Sequence, residues 1–127
     1  MARCDLRKYL NTEFLDTFTK EEQRSIVATN IENADNSDWD TKSGKNTKDK
    51  IFLLSINEAK TYFKNRLDRT AKHNGKPEWW WLRTPGMYNS CAARVDDEGC
   101  IDCRGRAVDD WFGQGVRPAM FLKYPFL

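Results

Sequence analysis

The sequence predicts an α+β domain, with helices in the N-terminal half and short antiparallel hairpins in the C-terminal half. Three observations carry that expectation. Leu6, Tyr9, Leu10 and Phe14 recur at helical spacing, so they share one face of a helix. Thr19 with Glu22, and Ser55 with Glu58, each have the spacing of a capping box, the local signal that starts a helix. After Asn74, turn residues follow one another so closely that only short strands fit between them. Helices first and strands later favour α+β over an alternating βαβ order. The 127 residues suffice for one continuous core but not two, so a single domain, 1–127, is expected.

Asp5 is placed to cap a first helix that runs to about Leu15, and Thr19 caps a second, with Phe18 as a staple residue. Ser25 to Ile31 is rich in β-branched residues and ambiguous, and Glu32 to Asp49 reads as a long polar loop. Ile51-Phe52-Leu53-Leu54 is a short apolar run ending at Ser55, which predicts a strand leading into a helix that carries Ala59, Tyr62 and Phe63. Asn74-Gly75-Lys76-Pro77 closes the polar stretch Lys64 to Glu78 with a turn. Trp79, Trp80 and Trp81 must alternate faces on a strand, so two are expected in the core and one outside it. Core packing is favoured over a sugar-stacking platform, because bulky rings ahead of Thr84-Pro85-Gly86 can lock a small core. Further breaks at Asp96 to Gly99, Arg104-Gly105 and Gly113-Gln114-Gly115 leave strands near Cys91 to Val95, Cys100 to Cys103 and Val116 to Tyr124.

With 21 basic against 19 acidic side chains, the charge is close to balance and gives no footprint for nucleic acid. No window approaches the roughly 20 apolar residues of a membrane span, and Met1 to Asp5 lacks an apolar signal core. As written the chain reads as soluble and unexported, with localisation left open. Four cysteines are too few for a disulfide-built scaffold, so reduced thiols are the default.

Between Arg83 and Leu122 the chain holds no lysine, although it is lysine-rich elsewhere, and this stretch collects Arg94, Arg104, Arg106, Arg117, Cys91, Cys100 and Cys103. A compositionally distinct insert enclosed by Trp79 to Gly86 and Gly115 to Ala119 suits a binding surface mounted on a scaffold. Strand alternation places Val95, Ile101 and Val108 toward the core and Arg94, Asp96, Cys100, Asp102 and Asp109 away from it. The expected ligand-binding residues are Tyr88, Asn89, Cys91, Arg94, Asp96, Asp97, Cys100, Asp102, Arg104, Arg106, Asp109, Asp110, Trp111 and Phe112, with the aromatics as anchors. A protein or a glycan is the expected partner. The competing reading is that these are ordinary turn and strand-surface residues. Arg83 and Arg117 are expected to be buried ion-pair or carbonyl-binding residues.

Cys100-x-x-Cys103 is half of a tetrahedral zinc site, but the second half is missing and His73 is distant in sequence. Asp96-Asp97-Glu98-Gly99 lacks the further ligands of a calcium loop. No nucleophile, phosphate-binding or dinucleotide motif is present. The reading is therefore a binding module, not an enzyme, with no metal and no cofactor.

Four blocks carry a family resemblance: Leu6-Arg7-Lys8-Tyr9-Leu10-Asn11, Asp49 to Ser55, Trp80-Trp81-Leu82-Arg83-Thr84-Pro85-Gly86 and Gly115-Val116-Arg117-Pro118-Ala119. Together they resemble a bacterial and phage domain of uncharacterised function. Its nearest described relatives are the C-type-lectin-like folds of formylglycine-generating enzymes and of the variable proteins of diversity-generating retroelements. The resemblance implies a C-type-lectin-like fold and a displayed, variable surface. Such retroelements rewrite template adenines, which turns Asn codons into a residue set without Lys, Glu, Gln, Met or Trp. From Tyr88 through Asp110 only Glu98 falls outside that set, and Trp111 and Gln114 lie just beyond.

Family members usually carry strands before the first helix, so the strand that would pair with the C-terminal one is expected to be missing. Met120 to Tyr124 would then expose an edge that a second copy or another segment completes. Two alternatives stand beside the recognition module. One is an enzyme or redox domain of the formylglycine-generating type using Cys100 and Cys103, and the other is a structural subunit of a surface or phage assembly.

Overall fold

The computed structural model describes residues 5–108 and 115–123, and within them the chain is a mixed α+β arrangement of short helices and small antiparallel sheets. The helices are α1 (Asp5–Leu10), α2 (Lys20–Ser25) and α3 (Ile56–Tyr62), with 3-10 turns at Leu15–Thr17 and Leu67–Arg69. Strands β1 (Ile26–Val27) and β9 (Phe121–Leu122) pair with each other, as do β2 (Thr29–Ile31) with β3 (Thr47–Asp49) and β4 (Ala71–His73) with β5 (Lys76–Glu78). The largest sheet has the order β6 (Trp80–Pro85), β7 (Cys91–Val95), β8 (Ile101–Ala107). Among the described residues no helix is long and apolar enough to cross a membrane.

Helix α1 ends at Leu10 rather than near Leu15, and Asp5 lies within it rather than capping it. Asn11 supplies the reason. Its side-chain amide donates to the carbonyls of Arg7 (3.0 Å) and Ile51 (2.8 Å), and its oxygen accepts the N–H groups of Lys50 (2.9 Å) and Ile51 (3.1 Å). One side chain thus satisfies backbone groups at the end of α1 and on a segment about 40 residues away, an arrangement that a continuing helix would prevent. The Arg7–Asp49 ion pair, at 2.8 Å, makes a second tie between the same segments.

Both capping boxes form. Thr19 Oγ1 accepts the Glu22 N–H at 3.1 Å while Glu22 Oε1 accepts the Thr19 N–H at 2.7 Å; Ser55 and Glu58 repeat the exchange at 3.1 and 3.0 Å. Ile51 to Leu54 is buried as expected but is not a regular strand. Phe52 exchanges two hydrogen bonds with Ala119 (3.0 and 2.8 Å), and the Leu54 carbonyl accepts the Arg83 N–H at 2.9 Å.

Alternation along two extended segments deals the core into two clusters, one on each face of β6. Phe52, Leu54, Trp80 and Leu82 join Ile31, Ala59, Ala93 and Val95 in one cluster; Ile51, Leu53 and Trp81 join Leu10 in the other. All three tryptophans contribute, since Trp79 packs on the second cluster with its ring 4.8 Å from that of Trp81. The expectation of one exposed tryptophan is therefore corrected: both faces of this strand are covered.

The C-terminal strand also departs from expectation. Ile26 pairs with Leu122 and Val27 with Phe121, so the segment read as ambiguous supplies a partner strand from within the chain. Ala119 is held by Phe52 just before it.

Candidate functional site

The β6–β7–β8 sheet positions the predicted surface. Arg94 and Asp102 face each other across β7 and β8, with Nε to Oδ2 at 2.8 Å, and the Arg94 guanidinium lies 4.8 Å from the Trp79 ring centroid. The other Asp102 oxygen accepts the N–H groups of Arg104 and Gly105, both at 3.1 Å. Burial would raise the Asp102 carboxyl, but the hydrogen bond and charge of Arg94 and the two N–H groups outweigh it and hold the group below its ordinary value. These two residues, expected to point outward, bind each other and fix the hairpin.

Between Ala92↔Arg106 and Arg94↔Asp102, β8 carries two more residues than β7, which makes a bulge. Gly105 sits in it with φ +74°, and a Cβ there would lie 2.0 Å from the Ala92 carbonyl oxygen. Only glycine fits. The bulge turns Arg104 and Arg106 to solvent on either side of it.

At the far end of the hairpin, Asp96 Oδ1 accepts the N–H groups of Glu98 (2.9 Å) and Cys100 (2.8 Å), closing the turn. Arg69 Nε donates to the Gly99 carbonyl at 2.9 Å and docks the tip on the Leu67–Arg69 turn. Asp97 and Glu98 remain exposed there.

Tyr88, Asn89 and Ser90 form the turn at the opposite end, where Tyr88 is 61% exposed. Hydrogen bonds from Met87 N–H to Arg104 O (2.8 Å) and from Val108 N–H to Ser90 O (3.0 Å) bring the turn beside the end of β8. Five residues of β7 separate the two ends, about 16 Å at ~3.3 Å per residue. The structure therefore gathers Tyr88, Asn89, Arg104 and Arg106 at one end and leaves Asp96 and Asp97 at the other. Asp109, Asp110, Trp111 and Phe112 lie outside the described residues.

Val95 is buried and Ile101 packs on the same cluster, but Val108 is 42% exposed and does not face the core. Val108 lies seven residues from Ile101, an odd spacing that puts it on the opposite face, and it follows the end of β8 at Ala107.

One contributor escaped the sequence reading. Asn36 and Thr41 pair to close a small loop; Asn36 Nδ2 donates to the carbonyls of Pro85 and Cys103, both at 2.9 Å, and Thr41 Oγ1 donates to that of Gly86 at 2.6 Å. The loop carries Trp39, 44% exposed, and is anchored two residues from Tyr88. A lone tryptophan inside an otherwise polar stretch was the available signal.

Cys91, Cys100 and Cys103 are free and half-buried. Burial, then a hydrogen bond and the negative charge of Asp38, push the Cys103 thiol up, which keeps it protonated at neutral pH. Among the described residues no three His, Cys, Asp or Glu side chains gather in a metal-holding group. Cys100, Cys103 and His73 are thus not brought together as a site.

The framework arginines differ from each other. Buried Arg83 donates to the carbonyls of Leu53 (2.8 Å) and Glu32 (2.9 Å) and grips Glu58 with both terminal nitrogens. Burial raises Glu58, but bonds from Arg83 and Ser55 and the Arg83 charge prevail and lower it. The carboxylate that caps α3 is therefore also the counterion of β6. Arg117, in contrast, lies against the Phe63 and Trp80 rings, its guanidinium carbon 4.9 and 4.7 Å from their centroids.

Arg83 and Arg117 themselves stand in the blocks Trp80 to Gly86 and Gly115 to Ala119, and a model for a domain of unknown function, DUF6273, matches residues 2–124. The chain belongs to the DUF6273 family. No curated protein and no solved structure matches it. In this DUF6273 chain, then, the chemistry has to be read from the surface itself: closed polar networks inside the hairpin, and aromatic and arginine side chains exposed at one end.

Proposed function

We propose that this DUF6273 domain is a recognition module with a C-type-lectin-like fold, binding a protein or glycan through the end of the β6–β8 sheet. The single observation that carries the reading is the division of labour within the hairpin. Arg94, Asp96 and Asp102 are engaged in holding its shape, while Tyr88, Arg104 and Arg106 are exposed on that fixed support. Tyrosine and arginine on a rigid base combine large contact area, directed donors and little ordering cost on binding. Trp39 extends the same end with a second exposed ring. The lysine-free composition of this stretch supports a variable surface of the retroelement type.

The test is to pan the immobilised domain against a glycan array and a displayed peptide library, alongside a Tyr88→Ala/Arg106→Ala double variant of equal thermal stability. Ligands recovered by the parent should be lost by the variant, since a hot-spot truncation costs about 2 kcal/mol or more. Equal binding by both contradicts the proposal. A near-copy of the coding segment for Tyr88 to Ala119, differing at adenines beside a reverse transcriptase gene, would support diversification; its absence removes that part alone.

A further inference from the structure

Among the described residues two part-buried arginines have no carboxylate partner, Arg69 and Arg117, and they differ, because Arg69 donates to the Gly99 and Phe63 carbonyls at 2.9 and 2.8 Å. Arg7 holds Asp49, Arg83 holds Glu58 and Arg94 holds Asp102. No carboxylate among the described residues lies within ion-pair distance of Arg117, and its hydrogen bond is a 3.5 Å contact from Nη1 to the Arg69 carbonyl. That carbonyl already accepts the Trp80 indole N–H at the shorter distance of 2.9 Å. Burial against the two rings lowers the Arg117 pKa, the expected response of a cation removed from water. A guanidinium remains charged even so.

Arg117 also lines an open groove of about 420 Å³, within the size range of small-molecule sites. Its remaining walls are mainly apolar: Phe52, Leu54, Tyr62, Phe63 and Phe121. Tyr62 and Phe121, 54% and 44% exposed, place aromatic surface at the rim. An apolar body could lie against these walls, and a single negative group would meet Arg117, which has no carboxylate partner among the described residues. The guanidinium fork matches a carboxylate in geometry as well as charge.

We propose that this groove binds a small organic acid, a single carboxylate on an aromatic body, with Arg117 as its counterion. The site lies away from the Tyr88 end of the sheet and is independent of the recognition surface proposed above. Contact with the Phe63 and Trp80 rings holds the guanidinium in place before the ligand arrives, which reduces the ordering cost of binding.

Phenylacetate and its neutral amide, phenylacetamide, provide the test. Each is titrated into the whole chain while the Trp80 indole N–H resonance is followed by NMR. Phenylacetate should shift that resonance in a saturable way, with the amide at least about tenfold weaker because it lacks the charge that the fork recognises. Arg117→Lys keeps a positive charge but loses the fork, and should weaken phenylacetate binding by about tenfold. Should that variant fold poorly, Tyr62→Ala at the exposed rim should weaken binding several-fold at unchanged thermal stability. Equal binding of acid and amide would show an apolar groove without anion recognition and overturn the proposal. So would the absence of saturable binding by phenylacetate up to about 10 mM, well above the millimolar range where such weak contacts register.

Discussion

Replacing Gly105 with alanine probes the bulge that aims Arg104 and Arg106. The backbone there has φ +74°, and the left-handed region costs an L-residue about 1–2 kcal/mol. The new Cβ would also lie 2.0 Å from the Ala92 oxygen and 2.5 Å from its carbonyl carbon, both backbone atoms of the neighbouring strand. No side chain can swing aside to relieve this contact, so β7 and β8 must part at the bulge. Parting them threatens the Asp102 bonds to the Arg104 and Gly105 N–H groups, each worth about 1 kcal/mol net. The total is about 3–4 kcal/mol, a large share of the 5–15 kcal/mol typical of a domain. With a urea slope of about 2 kcal/mol per M, the midpoint should fall by roughly 1.5–2 M. Gly75→Ala is the internal control: φ is +78° but nothing lies within 4 Å of the added Cβ, so only the conformational cost of about 1–2 kcal/mol applies. Equal urea shifts for the two variants would refute the steric reasoning.

Asn11→Ala should destabilise the chain by about 2–3 kcal/mol in denaturant titration, because it leaves the Ile51 carbonyl and the Lys50 and Ile51 N–H groups without their partner. A shift under about 0.5 kcal/mol would show that water replaces the side chain there. Glu58 and Asp102 are held below their ordinary values when folded, so the unfolded chain binds more protons as the medium is acidified. Their contribution is fully present above the unfolded carboxyl range near pH 4 and is lost as pH falls through the lower folded values. Melting temperature against pH should therefore drop on the acid side, and Glu58→Gln or Asp102→Asn should flatten that drop while lowering stability at neutral pH; a profile unchanged in both variants contradicts the assignment. Cys103, with its thiol pushed up by burial and Asp38, should react with a thiol reagent more slowly than a free cysteine near pH 8, and Asp38→Asn should speed it. Mass mapping of labelled thiols reads both rates.

Local signals were legible in the sequence and long-range ones were not. Thr19 with Glu22 and Ser55 with Glu58 can be read as caps because donor and acceptor lie three residues apart, and both form. Arg83 could be placed in the framework by its surroundings, but its partner Glu58 could not, since Glu58 already had a local role at Ser55. The end of α1 was misplaced because Asn11 bonds to Lys50 and Ile51, partners that no helical periodicity reveals. Likewise, the polar stretch from Glu32 to Asp49 hid β3 and the Asn36–Thr41 loop, whose bonds go to Pro85, Gly86 and Cys103. For the surface, Val95 and Ile101 were placed correctly, whereas Val108, at an odd spacing from Ile101 and past the end of β8, is exposed. Alternation also could not show that Arg94 and Asp102 would meet each other, because that depends on the register of β7 against β8.

The most direct measurement of the recognition claim is the amide hydrogen-exchange footprint of a ligand recovered by panning. Protection concentrated at Met87–Cys91 and Arg104–Val108, with the Asn36–Thr41 loop beside them, is the predicted result. Protection centred instead on α1 and β3, with the Tyr88 turn unchanged, would contradict it.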